Sequence, residues 1–358
     1  MLKKIKEWWN KGDGGEYYEP YITNGDIVVI LLSSLAIFIL LLSFYSYSQD
    51  ACVPIGWATQ NGGTTGGGNT KPIIVNNITD LQLHAFSPCP SVIYISGTIG
   101  SGVNTRVKIS SNKTIIGLPG SKLVGGFDLK SVSNVIIRNI KIQGPGSMDV
   151  NGVDCITIDS STNIWIDHCE IYDGQDGNLD IVNGSNFISI TWIQFYYTSV
   201  SKNHRYCILI GNSDNKISDR DKLKVTMMYN WYSKGIKERM PRVRYGQVHI
   251  VNNYFNSPGN NHCIRAGREA NILVENNLFE GVRTPIELFV RDFVAVTSIG
   301  NVLISTNGNS SGSGNAFKYP YQLNIISADS LKKIVTDPIC GAGTTMRSPD
   351  KCGCEKIN

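Results

Sequence analysis

Three aspartates near the middle of the chain are the residues whose type and spacing first suggest chemistry. Asp154 stands apart, whereas Asp176 and Asp180 share the phrase Asp-Gly-Asn-Leu-Asp. On stacked strands about 4.8 Å apart, such carboxylates would lie within a few ångström of one another and repel unless a cation lay between them. Hard oxygen ligands suit calcium, so these aspartates are predicted to bind Ca²⁺. The alternative is that the Asp-x3-Asp pair belongs to a solvated turn.

Arginines form a second group. The phrase Arg239-Met-Pro-Arg-Val-Arg244 carries three guanidinium groups, and Arg265 follows one repeat later. Guanidinium groups bind carboxylates and phosphates through paired hydrogen bonds, so this segment is predicted to bind an anion. A solvated basic turn is the alternative.

Other chemistries are excluded by their missing motifs. The sequence has no Gly-x-Ser-x-Gly, P-loop, dinucleotide fingerprint or His-Glu-x-x-His, and its five histidines lack metal-ligand spacing. The net charge of +4 comes without a basic stripe of interleaved aromatics, so a nucleic acid is not an expected partner. The mild positive excess suits an acidic polymer.

A repeated pattern of short strand-like segments in the sequence is predicted to position the aspartates and arginines. Short β-branched segments begin near residues 134, 163, 186, 223, 248 and 272, with almost no amphipathic helix between them. A period in the twenties built of strands and turns is typical of a β-solenoid, and we predict an all-β parallel β-helix over residues 73–330. The repeated Asn-Asn phrases are predicted to stack in turns, and the long gap after 186 predicts an inserted loop around 200–220. A β-sandwich is the alternative.

The amino-terminal region predicts membrane attachment. Ile27 to Phe44 is a run of 18 uncharged residues, and all nearby lysines precede it. We therefore expect a cytoplasmic segment (1–26), a transmembrane signal anchor (27–45) and a linker or lead-in (46–72), with the β-helix outside the cytosol as part of a single-pass membrane protein. A cleaved signal peptide, and hence secretion, is the main alternative.

The carboxy-terminal tail, residues 331–358, is rich in cysteine. The chain has nine cysteines, and in an oxidising compartment a tail bridge such as Cys340–Cys352 is favoured over a zinc site. Four N-x-S/T sequons, at Asn77, Asn112, Asn183 and Asn309, are compatible with glycosylation.

Taken in order, these phrases resemble the pectate lyases of polysaccharide lyase family 1. The resemblance runs from about Gly56 to Leu288. Its phrases are Thr64-Thr-Gly-Gly-Gly, Ser111-Asn-Lys-Thr-Ile-Ile-Gly117, Asn134-Val-Ile-Ile-Arg-Asn-Ile, Trp165-Ile-Asp-His168, Asp176-Gly-Asn-Leu-Asp180, Arg239-Met-Pro-Arg-Val-Arg-Tyr-Gly246, Val248-His-Ile-Val-Asn-Asn-Tyr254 and Glu275-Asn-Asn-Leu-Phe279.

The resemblance implies a right-handed parallel β-helix, expected here as a monomer, that cleaves 4-linked polygalacturonate by calcium-dependent β-elimination. It assigns calcium binding to Asp154, Asp176 and Asp180. It also makes Arg239 the catalytic base, Arg244 a ligand of the substrate carboxylate and Arg265 a further substrate contact.

The sequence departs from the family at one catalytic position. The place of the family's lysine, five residues before Gly211, is held by Tyr206. Either Arg205, predicted to bind substrate, or Lys202 is expected to supply the missing charge. Two alternative functions stay open: a lyase for methyl-esterified pectin, which the calcium aspartates argue against, and a catalytically weak or inactive membrane-anchored β-helix that binds polysaccharide.

Overall fold

The residues described by the computed structural model are 53–102, 105–148, 152–289 and 291–349. Their strands form three sheets of 10, 8 and 9 strands, and every strand pair is parallel. From β2 (Ser91–Ile95) onward, consecutive strands of the chain fall in different sheets, so each sheet gains one strand per turn of the chain. The predicted parallel β-helix is therefore confirmed, and the β-sandwich alternative is wrong.

Strands are numbered here in chain order. In spatial order the first sheet contains β1 (Ile73–Val75), β2 (Ser91–Ile95), β5 (Lys113–Gly117), β8 (Ser133–Arg138), β11 (Thr162–Asp167), β14 (Asn186–Thr191), β17 (Lys224–Met228), β20 (Gln247–Val251), β23 (Asn271–Glu275) and β26 (Ala295–Ile299). The second contains β4 (Arg106–Lys108), β7 (Gly126–Lys130), β10 (Ile156–Asp159), β13 (Gly177–Val182), β16 (Tyr206–Ile210), β19 (Arg242–Val243), β22 (Ile264–Ala266) and β25 (Ile286–Leu288). The third contains β3 (Thr98–Ile99), β6 (Lys122–Val124), β9 (Lys141–Gln143), β12 (Glu170–Tyr172), β15 (Gln194–Tyr196), β18 (Trp231–Tyr232), β21 (Tyr254–Phe255), β24 (Leu278–Glu280) and β27 (Val302–Ile304).

Helices are few among the described residues. They are α1 (Ile78–Phe86), α2 (Leu331–Val335) and three short 3-10 segments at Gly56–Thr59, Ile217–Asp219 and Ala328–Ser330. Helix α1 begins at a side-chain cap, because Asn77 Oδ1 accepts a hydrogen bond from the Asp80 amide at 3.0 Å.

Identical inward positions stack along the coils and form the core. Ile115, Ile137, Ile166 and Ile190 are partners in successive strands of the first sheet, and all four are fully buried. An aromatic column continues this interior: the rings of Phe195, Tyr232, Phe255 and Phe279 stack with centroids 5.4, 4.5 and 4.5 Å apart. Burial of these repeated apolar side chains stabilises each coil against its neighbours.

An asparagine ladder fixes the turn between the first and third sheets. Asn230, Asn253 and Asn277 are fully buried, and the Nδ2 group of each donates to the side-chain Oδ1 of the next asparagine at 2.9 to 3.0 Å, ending at Asn301. The preceding Asn252 and Asn276 adopt positive φ angles of 51° and 48°. The predicted stacking of the Asn-Asn turns is thus confirmed.

Two insertions interrupt the repeat, as the gap after residue 186 predicted. One spans 197–205, between β15 and β16, and the other spans 211–223, between β16 and β17. Both lie beside strands of the second sheet, where the candidate site is found.

The segment before the first strand packs on the first sheet. The amides of Trp57 and Ala58 donate to Thr226 Oγ1 and Ser189 Oγ, each at 3.0 Å, and both residues are buried. Gly56 permits this close approach, since a Cβ there would lie 2.4 Å from Thr226 Oγ1. Residues 56–58 of the predicted lead-in are therefore packed on the first sheet.

The predicted location as a single-pass membrane protein is wrong. Within 53–102, 105–148, 152–289 and 291–349, no helix combines the length and apolar character needed to cross a bilayer. The segments predicted as cytoplasmic (1–26) and transmembrane (27–45) lie outside the described residues.

The cysteines with described placement divide into two groups. Cys89, Cys155, Cys169, Cys207 and Cys263 are free, and all except Cys89 are buried. Cys340 is disulfide-bonded, whereas Cys352, its predicted partner, lies outside the described residues. Part of the tail also packs on the β-helix: Met346 and Asn139 exchange hydrogen bonds of 3.0 Å.

Candidate active site

The predicted aspartates lie close together at two neighbouring inner strands of the second sheet. Asp154 precedes β10, Asp176 precedes β13, and Asp180 lies within β13 opposite Thr157 of β10. Asp154 is 8 % exposed, and its Oδ1 atom is buried without a hydrogen-bond partner among the described residues. The structure therefore brings together the three carboxylates that the sequence singled out.

The pKa values of Asp154 and Asp180 reflect the proximity of the three carboxylates. Burial, followed by the negative charge of Asp176, raises the pKa of Asp154 to about 7. Burial, and then the charges of Asp154 and Asp176, raise the pKa of Asp180 well above its usual value. Without a cation, the cluster is therefore an unfavourable place for three negative charges.

Gly177 lets Asp154 approach its neighbouring coil. A Cβ atom at this position would lie 2.7 Å from Asp154 Oδ1, closer than real Cβ contacts allow. The glycine in Asp-Gly-Asn-Leu-Asp thus leaves room for the buried carboxylate oxygen.

His204 is a neighbour that the sequence did not single out. It lies in the first insertion, and its Nε2 atom is 2.7 Å from Asp176 Oδ1. Among the residues with described placement, no three His, Cys, Asp or Glu side chains are arranged to hold a metal ion as they stand. The donor chemistry nevertheless fits a hard cation, since three carboxylates converge and one buried oxygen is unsatisfied.

Arg239 lies beside the aspartate cluster. Its positive charge lowers the pKa values of both Asp154 and Asp180, although burial outweighs that effect. Its guanidinium carbon is 4.2 Å from the ring centroid of Tyr206, and its Nε atom is buried without a hydrogen-bond partner in the described part of the chain. The predicted base and the predicted cation ligands therefore share one site.

Tyr206 occupies the position of the missing lysine. It is the first residue of β16 and pairs with Gly177 of β13 on one side and with Glu238 on the other. Its neighbour Arg205 is partly buried, with an Nε atom that has no hydrogen-bond partner among the described residues, and Lys202 is exposed. Tyr206 itself contacts Arg239.

The remaining arginines cluster on β19 and β22. Arg242 and Arg265 are direct partners in the sheet. Burial, and then the positive charges of Arg244, Arg239 and Arg265, lower the pKa of Arg242 to about 10. The four guanidinium groups thus form one basic surface next to the aspartates.

Two of these arginines already have carboxylate partners. Arg244 is ion-paired with Asp214 from the second insertion and donates to the Gly211 carbonyl at 2.8 Å. Arg265 is ion-paired with Glu287 of β25. Arg242 has no such partner among the residues that the structure describes.

Comparisons with known proteins give one consistent result. A family model described as pectate lyase matches residues 28–334. A pectate lyase of Emericella nidulans is 34 % identical over 274 residues, covering 74 % of this chain and 79 % of the relative. A pectate lyase of Bacillus sp. N165, solved in complex with trigalacturonate, has a TM-score of 0.68 at 26 % identity, covering 82 % of this chain and all of the other. A pectate lyase bound to a hexasaccharide has a TM-score of 0.67 at 25 % identity, covering 81 % and 96 %.

Proposed function

This chain belongs to the pectate lyase family of polysaccharide lyases, and from that premise we propose that it cleaves 4-linked polygalacturonate by calcium-dependent β-elimination. Asp154, Asp176 and Asp180 hold the cation, and Arg239 removes the proton. Arg244, Arg265 and Arg205 are the proposed substrate-binding residues. The substrate class is supported by the trigalacturonate bound to the related Bacillus enzyme.

The observation that carries the proposal is the position of Arg239. An arginine without an ion-pair partner among the described residues lies between a cluster of three carboxylates and a group of three further arginines. The aspartate carboxylates hold the cation, and the arginines bind the carboxylates of the uronate chain. Arg239, between these two groups, contacts the substrate where the cation and the arginines both act on it.

The proposed arrangement of cation and arginines meets the chemical requirements of β-elimination. The C5 proton of a galacturonate is weakly acidic, because the adjacent carboxylate opposes further negative charge at that carbon. A bound Ca²⁺ would neutralise this carboxylate. Arg244 stabilises the negative charge that develops on it when Arg239 removes the proton. A C4=C5 double bond forms, the C4–O bond breaks, and solvent protonates the departing glycosidic oxygen.

An arginine base requires assistance, since a free guanidinium loses its proton only above a pH of about 12. Burial and neighbouring positive charges both disfavour the protonated form, and within this group burial first, and then the adjacent arginines, lower the pKa of Arg242. We therefore expect activity to rise with pH into the alkaline range.

Asp176 has a competing partner at the proposed cation site. Its Oδ1 atom lies 2.7 Å from His204 in the structure. If Asp176 held a cation through this oxygen, His204 would have to move away or turn its ring. His204 is then free to contact substrate instead.

The test is incubation with polygalacturonate, with calcium and with a chelator, while the ultraviolet absorbance of the conjugated double bond is followed. Product formation that stops in chelator and resumes with added calcium is expected. If polygalacturonate binds yet yields no unsaturated product from neutral to alkaline pH, the lyase proposal fails, and a polysaccharide-binding role replaces it.

A further inference from the structure

Arg106 is a mostly buried arginine that approaches the aspartate cluster from the amino-terminal end of the second sheet. It is the first residue of β4, and 16 % of its side chain is exposed. Strands β4, β7 and β10 are neighbours in that order, and Asp154 precedes β10, whereas Arg239 precedes β19 on the other side of the cluster. Neither the sequence motifs nor the family resemblance assigned Arg106 a role.

The guanidinium group of Arg106 binds acceptors on successive coils. Its Nε and Nη2 atoms donate to Asp128 Oδ1, at 3.1 Å from Nε, and Nη2 also donates to the Phe127 carbonyl at 3.1 Å. Its Nη1 atom donates to the backbone carbonyl of Asp154. All three nitrogen atoms therefore already donate to the protein, so Arg106 is not expected to bind a substrate carboxylate.

Gly126 opens the path from Arg106 to Asp154. It pairs with Arg106 in the sheet, and a Cβ atom at Gly126 would lie 2.0 Å from Arg106 Nη1. An ion pair with Asp128 alone would not need this path, because 32 % of the Asp128 side chain is exposed at the surface. The reach across Gly126 therefore serves the contact with Asp154.

The backbone around Asp154 is held from both neighbouring coils. The Cys155 amide donates to the Gly177 carbonyl at 3.2 Å on the next coil. The Asp154 carbonyl accepts from Arg106 on the opposite side. These two contacts fix the peptide groups from which the Asp154 side chain extends toward Gly177 and the other carboxylates.

The charge of Arg106 acts on one carboxylate of the cluster in particular. Burial, and then the charge of Asp176, raise the pKa of Asp154, and Arg106 opposes them more strongly than Arg239 does. For Asp180 the opposing positive charge is that of Arg239. Arg106 thus favours the ionised form of Asp154, which is the form that binds a metal ion.

We propose that Arg106 is a positioning residue of the cation site, which holds the Asp154 carboxylate, through the Asp154 backbone, in the orientation that binds Ca²⁺. The inference rests on the proposed function, which supplies the cation. Groups that orient a metal ligand without touching the metal typically change metal affinity by about 10- to 100-fold when they are removed. Arg106 sets the affinity for the cation and takes no part in removing the proton.

Arg106→Lys is the main test, because lysine retains the charge but not the planar fork that reaches both Asp128 and Asp154. Calorimetry without substrate should give a Kd for Ca²⁺ about tenfold higher than that of the wild type. At saturating calcium, kcat and KM for polygalacturonate should return to within about twofold of the wild-type values. Arg220→Lys, at an exposed arginine that is also ion-paired, is the matched control and should leave the Kd unchanged.

Asp128→Asn is a second and milder variant. It removes one anchor of the guanidinium group and leaves the contacts of Arg106 with the two backbone carbonyls, so the Kd for Ca²⁺ should rise about threefold. Asp159→Asn removes the same charge from the neighbouring strand β10 and should leave the Kd unchanged. If Arg106→Lys does not fold, this pair of variants decides the question alone.

Two results would overturn the role of Arg106. An unchanged Kd in both variants, with a lower free energy of unfolding in chelator, would make Arg106 purely structural. A loss of kcat that saturating calcium does not restore would place Arg106 in the reaction itself. If the wild type binds calcium but yields no unsaturated product, the lyase proposal fails alone, and the Kd values still decide. If the wild type binds no calcium, the cation site and this inference fail together.

Discussion

The ring of Tyr206 packs against the guanidinium group of Arg239, with 4.2 Å between its centroid and the guanidinium carbon. The same ring lies 4.0 Å from the ring of His204, which in turn contacts Asp176. Tyr206 therefore connects the proposed base to a proposed cation ligand. The position that the family resemblance gives to a lysine is a neutral aromatic contact here, and its consequences can be measured.

Tyr206→Lys is expected to raise kcat by about tenfold, because an ammonium group beside Arg239 favours the neutral guanidine and stabilises negative charge on the substrate. Initial rates on polygalacturonate over a range of pH measure the effect. Tyr206→Phe is the control, since it retains the ring and should retain wild-type kcat. An unchanged rate in the lysine variant would mean that Arg205 or Lys202 already supplies the charge.

Arg239→Lys should separate catalysis from binding. Lysine retains the positive charge but not the geometry of the guanidinium group, so kcat should fall by about 10³ while the affinity for polygalacturonate changes by no more than about threefold. Absorbance of the unsaturated product and calorimetric binding measure the two quantities. A variant that retains more than a tenth (approximately) of wild-type kcat would exclude Arg239 as the base.

Asp154 should make the calcium-free protein less stable as pH rises. Its pKa is about 7 in the folded protein against an ordinary value of 3.8, so the folded state holds this proton more tightly than the unfolded state. The stability that the proton contributes is fully present below about pH 4 and is lost as pH rises to about 7. In chelator, the loss from this carboxyl should amount to about 2–4 kcal/mol.

Asp154→Asn provides the measurement for that prediction. In chelator at pH 8 the variant should be more stable toward denaturant than the wild type, and at pH 4 the two should be similar. Added calcium should stabilise the wild type and not the variant. Asp159→Asn, at the end of β10, is the control and should behave as the wild type. If calcium leaves the unfolding midpoint of the wild type unchanged, the cation site is absent.

The fold could be predicted from the sequence because each coil repeats the same pattern of buried apolar residues and turn residues. Inward isoleucines and turn asparagines recur at nearly constant spacing. That spacing is the length of one coil, since Asn253 and Asn277, 24 residues apart, are hydrogen-bonded to each other. The same repetition brought Asp154, Asp176 and Asp180 together, since residues in corresponding positions of adjacent coils become neighbours.

The remaining site residues lie where the repeat gives no information. His204 and Asp214 belong to the two insertions, and no periodicity relates them to Asp176 and Arg244. Arg242 was visible as part of the arginine phrase, but its lack of a partner becomes apparent only when Asp214 and Glu287 are placed. The apolar run in residues 27–44 led to a wrong location, because composition alone does not establish a membrane-spanning helix.

Asn253→Ala should destabilise the β-helix by about 2–4 kcal/mol. The buried side chain accepts a hydrogen bond from the Asn230 amide at 2.9 Å and donates to the Met227 carbonyl at 2.8 Å, so alanine leaves several buried polar groups unsatisfied. Denaturant unfolding measures the loss. Asn212→Ala, at an exposed loop asparagine, is the control and should change stability by less than about 0.5 kcal/mol.

Arg244 and Asp214 give the last prediction. Their ion pair occupies the guanidinium group that is proposed to bind a substrate carboxylate. Arg244→Ala should raise KM and lower kcat together, each by about tenfold, because its contact with the carboxylate exists in the ground state and strengthens as charge develops. Asp214→Asn should instead lower KM about two- to fivefold, since the substrate no longer displaces an internal carboxylate.

Combining the substitutions at Arg244 and Asp214 tests whether Asp214 acts through Arg244. Arg244 keeps its hydrogen bond to the Gly211 carbonyl in the Asp214→Asn variant, so the side chain should stay in place when its ion pair is removed. If Asp214 competes with substrate, Asp214→Asn has no effect on KM once Arg244 is alanine. If Asp214→Asn raises KM as much as Arg244→Ala does, then Asp214 orients Arg244 for binding, and the competition described here is wrong.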